Sequence, residues 1–288
     1  MYINEYILKT YTGDPCSTNT DALDKAYDKL VKGVFNTIKS YLPEAFKYVG
    51  DPIEDRTFTI NSGYTYLKFT IDSIPGIYHY FCIYPSGTMP QNTGHLIISH
   101  FLSRDDISDG NNYSNSSLMQ AQTVDMNKVY TLSSFYQTDS FVNVVSLQIS
   151  FCLNIIKNDN TFIVGLSSTA TNSNKDNFHG YVTVGNKKYI FGYRNSQNAN
   201  IIYYFDREAN LLYSSGLTYD LEGFVDPSKI LAIPVYLSAK TDVRSQVDAT
   251  LSPIGILECP AASCSMGAKY IIDGKLYYAL ADNILIED

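Results

Sequence analysis

The chain has 288 residues with 21 Lys plus Arg against 29 Asp plus Glu, a net charge of −8. Its length allows one or two domains and a sizeable core without disulfides or metals. The acidic balance and the scatter of basic residues, with pairs such as Lys187-Lys188 as the longest runs, argue against nucleic acid and anionic membranes as partners. Charged residues are only 17% of the chain, and Tyr occurs 25 times with no Trp.

The first residues, Met1-Tyr2-Ile3-Asn4-Glu5, lack the basic and apolar regions of a secretion signal, and no stretch reaches the ~20 apolar residues of a membrane span. The expectation is a protein made in a cytoplasm. The first strong periodic element is a helix. Leu23, Ala26, Tyr27, Leu30, Val31, Val34, Phe35, Ile38, Tyr41 and Leu42 recur in steps of three and four, which draws one apolar stripe. Thr20 or Asp21 is the expected N-cap, Asp21 and Asp24 suit the positive end of the dipole, Gly33 is a mild interior cost, and Pro43 ends the element.

Beyond residue 48 the pattern becomes that of strands. Thr57–Ile60, Tyr64–Ile71, Ile77–Tyr84 and His95–Leu102 are short β-branched and aromatic runs between turn residues. Val145, Leu147, Ile149, Phe151, Leu153 and Ile155 alternate with Ser146, Gln148, Ser150, Cys152 and Asn154. This predicts a long strand with one buried and one polar face. Asn158-Asp159-Asn160 turns it into Thr161–Leu166. Further hairpins are expected about Gly185-Asn186, between Ile201–Phe205 and Leu211–Tyr213, and about Asp273-Gly274, a pair suited to a type I′ turn. Ser103–Lys128 and Ser167–Asn177 read as surface loops. A softer boundary falls near Leu221–Pro227, followed by an apolar strand at Ile230–Leu237. The expected fold is mainly β: an antiparallel β-sandwich or barrel-like domain with one N-terminal amphipathic helix and a small C-terminal β module. The segments are 1–47 (helical), 48–228 (main β domain) and 229–288 (C-terminal module).

No catalytic or cofactor motif emerges, so no enzyme activity, cofactor or metal is expected. His95 and His100 lie five apart and on a strand face opposite sides, a poor geometry for one metal. Cys259 and Cys264 lack a second ligand pair and the C-x-x-C spacing. Cys82 and Cys152 lie in apolar runs and read as buried thiols. Asp105, Asp106, Asp109 and Gly110 suggest a calcium loop, but an EF-hand started at Asp105 places Ile107 and Ser116 at ligand positions. The segment reads first as a solvated turn, with a non-EF calcium loop as the lesser alternative. Glu54-Asp55 and Asp220 with Glu222 are the local carboxylate clusters, and nothing in their spacing marks a glycosidase pair.

The tyrosines have two readings. Tyr favours strands, which a β protein explains; Tyr excess with few charges also marks interface cores. Candidate interface residues are Tyr113, Asn158, Asp159, Asn160, Tyr203, Tyr204, Tyr277 and Tyr278. A leading amphipathic helix, a Tyr- and Asn-rich hairpin series and the stretch Ala268-Lys269-Tyr270-Ile271-Ile272-Asp273-Gly274-Lys275-Leu276-Tyr277-Tyr278 resemble tailed-bacteriophage virion proteins of the tail, baseplate or head–tail connector. The resemblance implies a structural, non-enzymatic homo-oligomer, a ring docked to other virion proteins and located in the virion. It also implies that the hairpin at Asn158 and the loop Ser103–Lys128 make intersubunit contacts. The alternatives are a β-sandwich that binds surface glycan, and a hydrolase with a dispersed carboxylate site.

Overall fold

The computed structural model describes residues 1–12, 19–72, 74–86, 95–112, 129–131, 135–139, 142–167, 178–184, 186–196, 199–205, 211–216, 233–236, 253–258, 267–281 and 284–288. In chain order the elements are β1 (Tyr2–Thr12), α1 (Asn19–Tyr41), β2 (Phe46–Tyr48), β3 (Thr65–Ile71), β4 (Ile74–Ser86), β5 (His95–Ser103) and β6 (Val129–Thr131). Then follow β7 (Phe135–Asp139), β8 (Val142–Lys157), β9 (Thr161–Ser167), β10 (Phe178–Val184), β11 (Lys187–Ser196), β12 (Ala199–Phe205) and β13 (Leu211–Gly216). The last are β14 (Ile233–Tyr236), β15 (Pro253–Glu258), β16 (Lys269–Ile272), β17 (Lys275–Ala281) and β18 (Ile284–Glu287).

Three sheets result. The largest orders β1-β8-β9-β10-β11-β12-β13 with β7 also on β8; the others order β2-β3-β4-β5-β6 and β14-β15-β18-β17-β16. The chain is thus mainly β with antiparallel sheets, one helix near the N-terminus and a small C-terminal sheet, and no sheet among the described residues closes into a barrel. Two compact units form. One comprises Met1–Glu5, Ser73–Gly76 and Leu153–Asp288, the other Tyr6–Asp72 and Ile77–Cys152.

In the second unit the predicted helical stripe is the core-facing stripe. Leu23, Ala26, Tyr27, Leu30, Val31, Val34, Phe35 and Ile38 are all buried. Tyr27 meets Thr65 Oγ1 of β3 at 3.3 Å, and Phe35 packs edge-on to Phe58 at 6.0 Å. The helix begins at Asn19, so Thr20 and Asp21 lie in its first turn and do not cap it. A Cβ at Gly33 would lie 2.1 Å from the Tyr11 hydroxyl, so a side chain there requires the Tyr11 ring to shift.

Thr57–Ile60, expected as a strand, is not one; a 3-10 turn at Ile60–Ser62 follows it. The cause is local. The amides of Phe58 and Ile60 donate to Asp28 and Asp24 of α1, both at 2.9 Å, so helix carboxylates occupy donors that a ladder would need. The strand β1 is a further difference, since the sequence pattern predicts only a helical segment over 1–47.

β8 runs through residues of both units and corrects the expected two-faced strand. Leu147, Ile149, Phe151, Leu153 and Ile155 are buried as predicted, as is the Cys152 thiol, but Asn154 of the polar set is buried too. Asn154 is covered by β1: its Oδ1 accepts from the Tyr2 hydroxyl at 3.0 Å and from Asn4. The hairpins follow the sequence closely. β10 and β11 pair from Phe178↔Tyr193 to Val184↔Lys187, and β16 and β17 pair from Lys269↔Tyr278 to Ile272↔Lys275. Asp273 and Gly274 have φ of 50° and 78°, the two positive values a type I′ turn requires. The strand expected at Ile230–Leu237 is β14. The boundary near Leu221–Pro227 lies outside the described residues.

Candidate interface

Strand alternation gives the sheet of the second unit two different faces. Thr65 and Leu67 of β3 lie on one, and Tyr64, Tyr66, Tyr78, Tyr80, Tyr84 and Phe101 gather with Cys82, Ile97 and Ile107 on the other. Tyr80 stacks on Phe101 at 4.9 Å, Tyr66 meets Tyr80 edge-on at 5.5 Å, and Tyr64 lies 4.6 Å from Tyr84. The hydroxyls are used as well as the rings. Tyr80 donates to the Asp105 carbonyl at 2.9 Å and accepts from the Ile107 amide at 2.8 Å; Tyr66 donates to the Asn111 carbonyl at 2.6 Å. Burial raises the Tyr80 pKa, which keeps the phenol neutral and able to donate.

The Asp105–Gly110 segment therefore packs on this tyrosine face. Asp109 accepts from the Tyr66 amide at 2.8 Å and from Arg56 at 2.5 Å, and Asp106 pairs with Lys68. Burial opposes the Arg56 charge, but the hydrogen bonds it donates to Asp109 and Tyr48, with the charge of Asp109, outweigh it and hold the guanidinium above its usual pKa. Two of the three carboxylates that suggested calcium thus face protein cations. Among the described residues no group of three His, Cys, Asp or Glu side chains is placed to hold a metal. Asp109→Ala is expected to lower stability by ~1–2 kcal/mol, because the Tyr66 amide and a largely buried guanidinium lose their partner while solvent screens part of the loss. Urea unfolding checks this; a change under about 0.5 kcal/mol would contradict it.

The histidines form a pair that the sequence does not announce. His95 and His100 share β5 on alternate faces, as expected. It is β4 that brings His79 beside His100: His79 faces Leu102 and Phe81 faces His100 across the ladder. Both imidazoles are buried, His79 edge-on to Phe46 at 5.1 Å and His100 over Phe81 at 6.2 Å. Burial and the neighbouring His100 push the His79 pKa down to about 3, so its ring is neutral at neutral pH. Cys82 and Cys152 are buried, and burial raises the Cys82 pKa. Glu54 accepts from Asn36 Nδ2 at 2.5 Å. Cys259, Cys264, Asp220 and Glu222 lie outside the described residues.

The interface candidates divide. Asn158 closes its turn from within: its amide donates to the Thr161 carbonyl at 2.9 Å, its Oδ1 accepts from the Asn160 amide at 2.8 Å, and its Nδ2 donates to the Glu287 carbonyl. Asp159 and Asn160 are exposed on the same turn. Tyr277 packs with Leu257, Ala279 and Leu285 inside the C-terminal sheet, and Tyr278 lies against Tyr2 at 6.4 Å. Both tyrosines are buried within the chain. Tyr203 and Tyr204 sit on β12, which pairs with β11 and β13, and their side chains lie outside what is described, as does Tyr113.

The exposed apolar residues sit elsewhere. Met1, Tyr6, Leu8 and Ile271 are the large hydrophobics most open to solvent among the described residues, with Tyr6 59% and Ile271 78% exposed. Tyr6 and Leu8 belong to β1, and Ile271 to β16; among the described residues each strand is outermost in its sheet. The signal for β1 was present in its Tyr-, Ile- and Thr-rich sequence. Comparison with protein-family models, with curated proteins and with solved structures finds no match.

Proposed function

We propose that the chain is a non-enzymatic structural subunit of a tailed-phage particle, in the tail, baseplate or connector, which works by self-assembly and by docking to neighbouring virion proteins. The observation that carries this reading is the placement of exposed Tyr6, Leu8 and Ile271 on outermost strands. An outermost strand offers unpaired amides and carbonyls to another chain, and monomeric proteins usually blunt it with charge, proline or a covering loop. Apolar side chains beside such an edge favour addition of a neighbouring strand, with backbone hydrogen bonds for affinity and side chains for specificity. The tyrosines fit the same reading: those on β3, β4 and β17 hold the subunit rigid through rings and hydroxyls packed inside it.

The test is direct. Particles purified from the source of this sequence should contain the polypeptide at a fixed ratio to the other virion proteins, measured by mass spectrometry. Particles that lack it would contradict the proposal.

A further inference from the structure

We infer that two copies of the chain join antiparallel through the outer edges of their β1 strands, in the register that sets Ile7 opposite itself. The inference rests on the assembly reading and names one contact that assembly would use. Among the described residues β1 is the end strand of the largest sheet, and β8 is its pairing partner there. Its burial alternates along Tyr6, Ile7 and Leu8: the outer two are exposed at 59% and 49%, and Ile7 between them is buried at 4%.

Antiparallel pairing of identical edges places a two-fold axis perpendicular to the joined sheet, and each face then continues into the same face of the second copy. Residues that face each other must therefore come from the same face of the strand. With Ile7 on the axis, Tyr6 faces Leu8 of the partner subunit and Glu5 faces Lys9 of the partner subunit. Symmetry makes each pair twice. Aromatic–aliphatic and opposite-charge pairs are those that stabilise an antiparallel ladder. Neighbouring registers lack this match. Centring on Tyr6 sets Glu5 against Ile7 and Lys9 against Ile3, and centring on Leu8 sets Glu5 against Tyr11 and Lys9 against Ile7. The strand is thus self-complementary in one register, and the occupant its charges specify is a second copy of this chain. Such a contact closes on itself as a dimer, and it also supplies the two-fold of a double ring.

Charge reversal with rescue tests the register. The dissociation constant of the full-length protein is measured by sedimentation velocity over a dilution series, with circular dichroism to verify folding of each variant. Glu5→Lys and Lys9→Glu each oppose like charges twice per contact and are expected to weaken association about tenfold or more. The combined Glu5→Lys, Lys9→Glu protein restores opposite charges in the same register and is expected to recover most of the wild-type affinity. Wild-type association that neither single reversal changes, or a combined variant as weak as the singles, would overturn this pairing and leave self-assembly standing. A wild type that stays monomeric at every concentration would overturn both.

Discussion

Gly180→Ala should remove ~3 kcal/mol or more of stability, enough to prevent folding of a marginal domain. Gly180 lies in β10 opposite Ile163 of β9, near the middle of the largest sheet. A Cβ at this position would lie 1.9 Å from the Phe162 carbonyl oxygen and 2.8 Å from the Ile163 Cα. Those atoms are backbone, so no rotamer change relieves the clash, and moving β9 would disturb Phe162, Ile163 and Val164, all buried. Gly274→Ala is the matched control. Nothing lies within 4 Å of a Cβ there, and its positive φ should cost only ~1 kcal/mol. Urea midpoints of the two variants separate the cases; similar losses for both would contradict the close approach of β9 and β10.

Acid should destabilise the protein through His79. In the folded chain burial and the neighbouring His100 hold its pKa at about 3, against an ordinary 6.5. The unfolded chain therefore binds a proton more readily as pH falls below 6.5, and folding stability declines until the folded group titrates near pH 3. Above pH 6.5 the group is neutral in both states and contributes no slope. Within the window the loss approaches ~1.4 kcal/mol per pH unit from this one residue. His79→Phe keeps an aromatic ring beside Phe46 and removes the titration. The difference between wild-type and variant unfolding free energies should then shrink or reverse in favour of the variant as pH drops from 6.5 to 4. Parallel curves would show that His79 is protonated in the fold.

What the sequence made legible was local. The α1 stripe from Leu23 to Ile38, the β10–β11 and β16–β17 hairpins and the Asp273-Gly274 turn all rest on patterns a few residues long, and each stands in the structure as read. What stayed hidden depended on distant chain segments. Asn154 reads as solvent-facing until β1 covers it from 150 residues away. Thr57–Ile60 reads as a strand until Asp24 and Asp28 take two of its amides. His79 meets His100 through a hairpin register that no local pattern specifies. The candidate site divides in the same way. Composition singles out Tyr277 and Tyr278, yet Tyr277 is buried among Leu257, Ala279 and Leu285 of the C-terminal sheet and Tyr278 is buried with its ring near that of Tyr2. No local pattern marks Tyr6 and Leu8, because exposure at a sheet edge is a property of topology, and a strand does not carry its position in a sheet within its own sequence.

Self-assembly is the central claim, and the native mass of the purified protein tests it most directly. Size-exclusion chromatography with light scattering across a hundredfold range of concentration should give a discrete multiple of the 32.3 kDa chain that dissociates on dilution or holds as a closed ring. A mass of one chain at every concentration would contradict it.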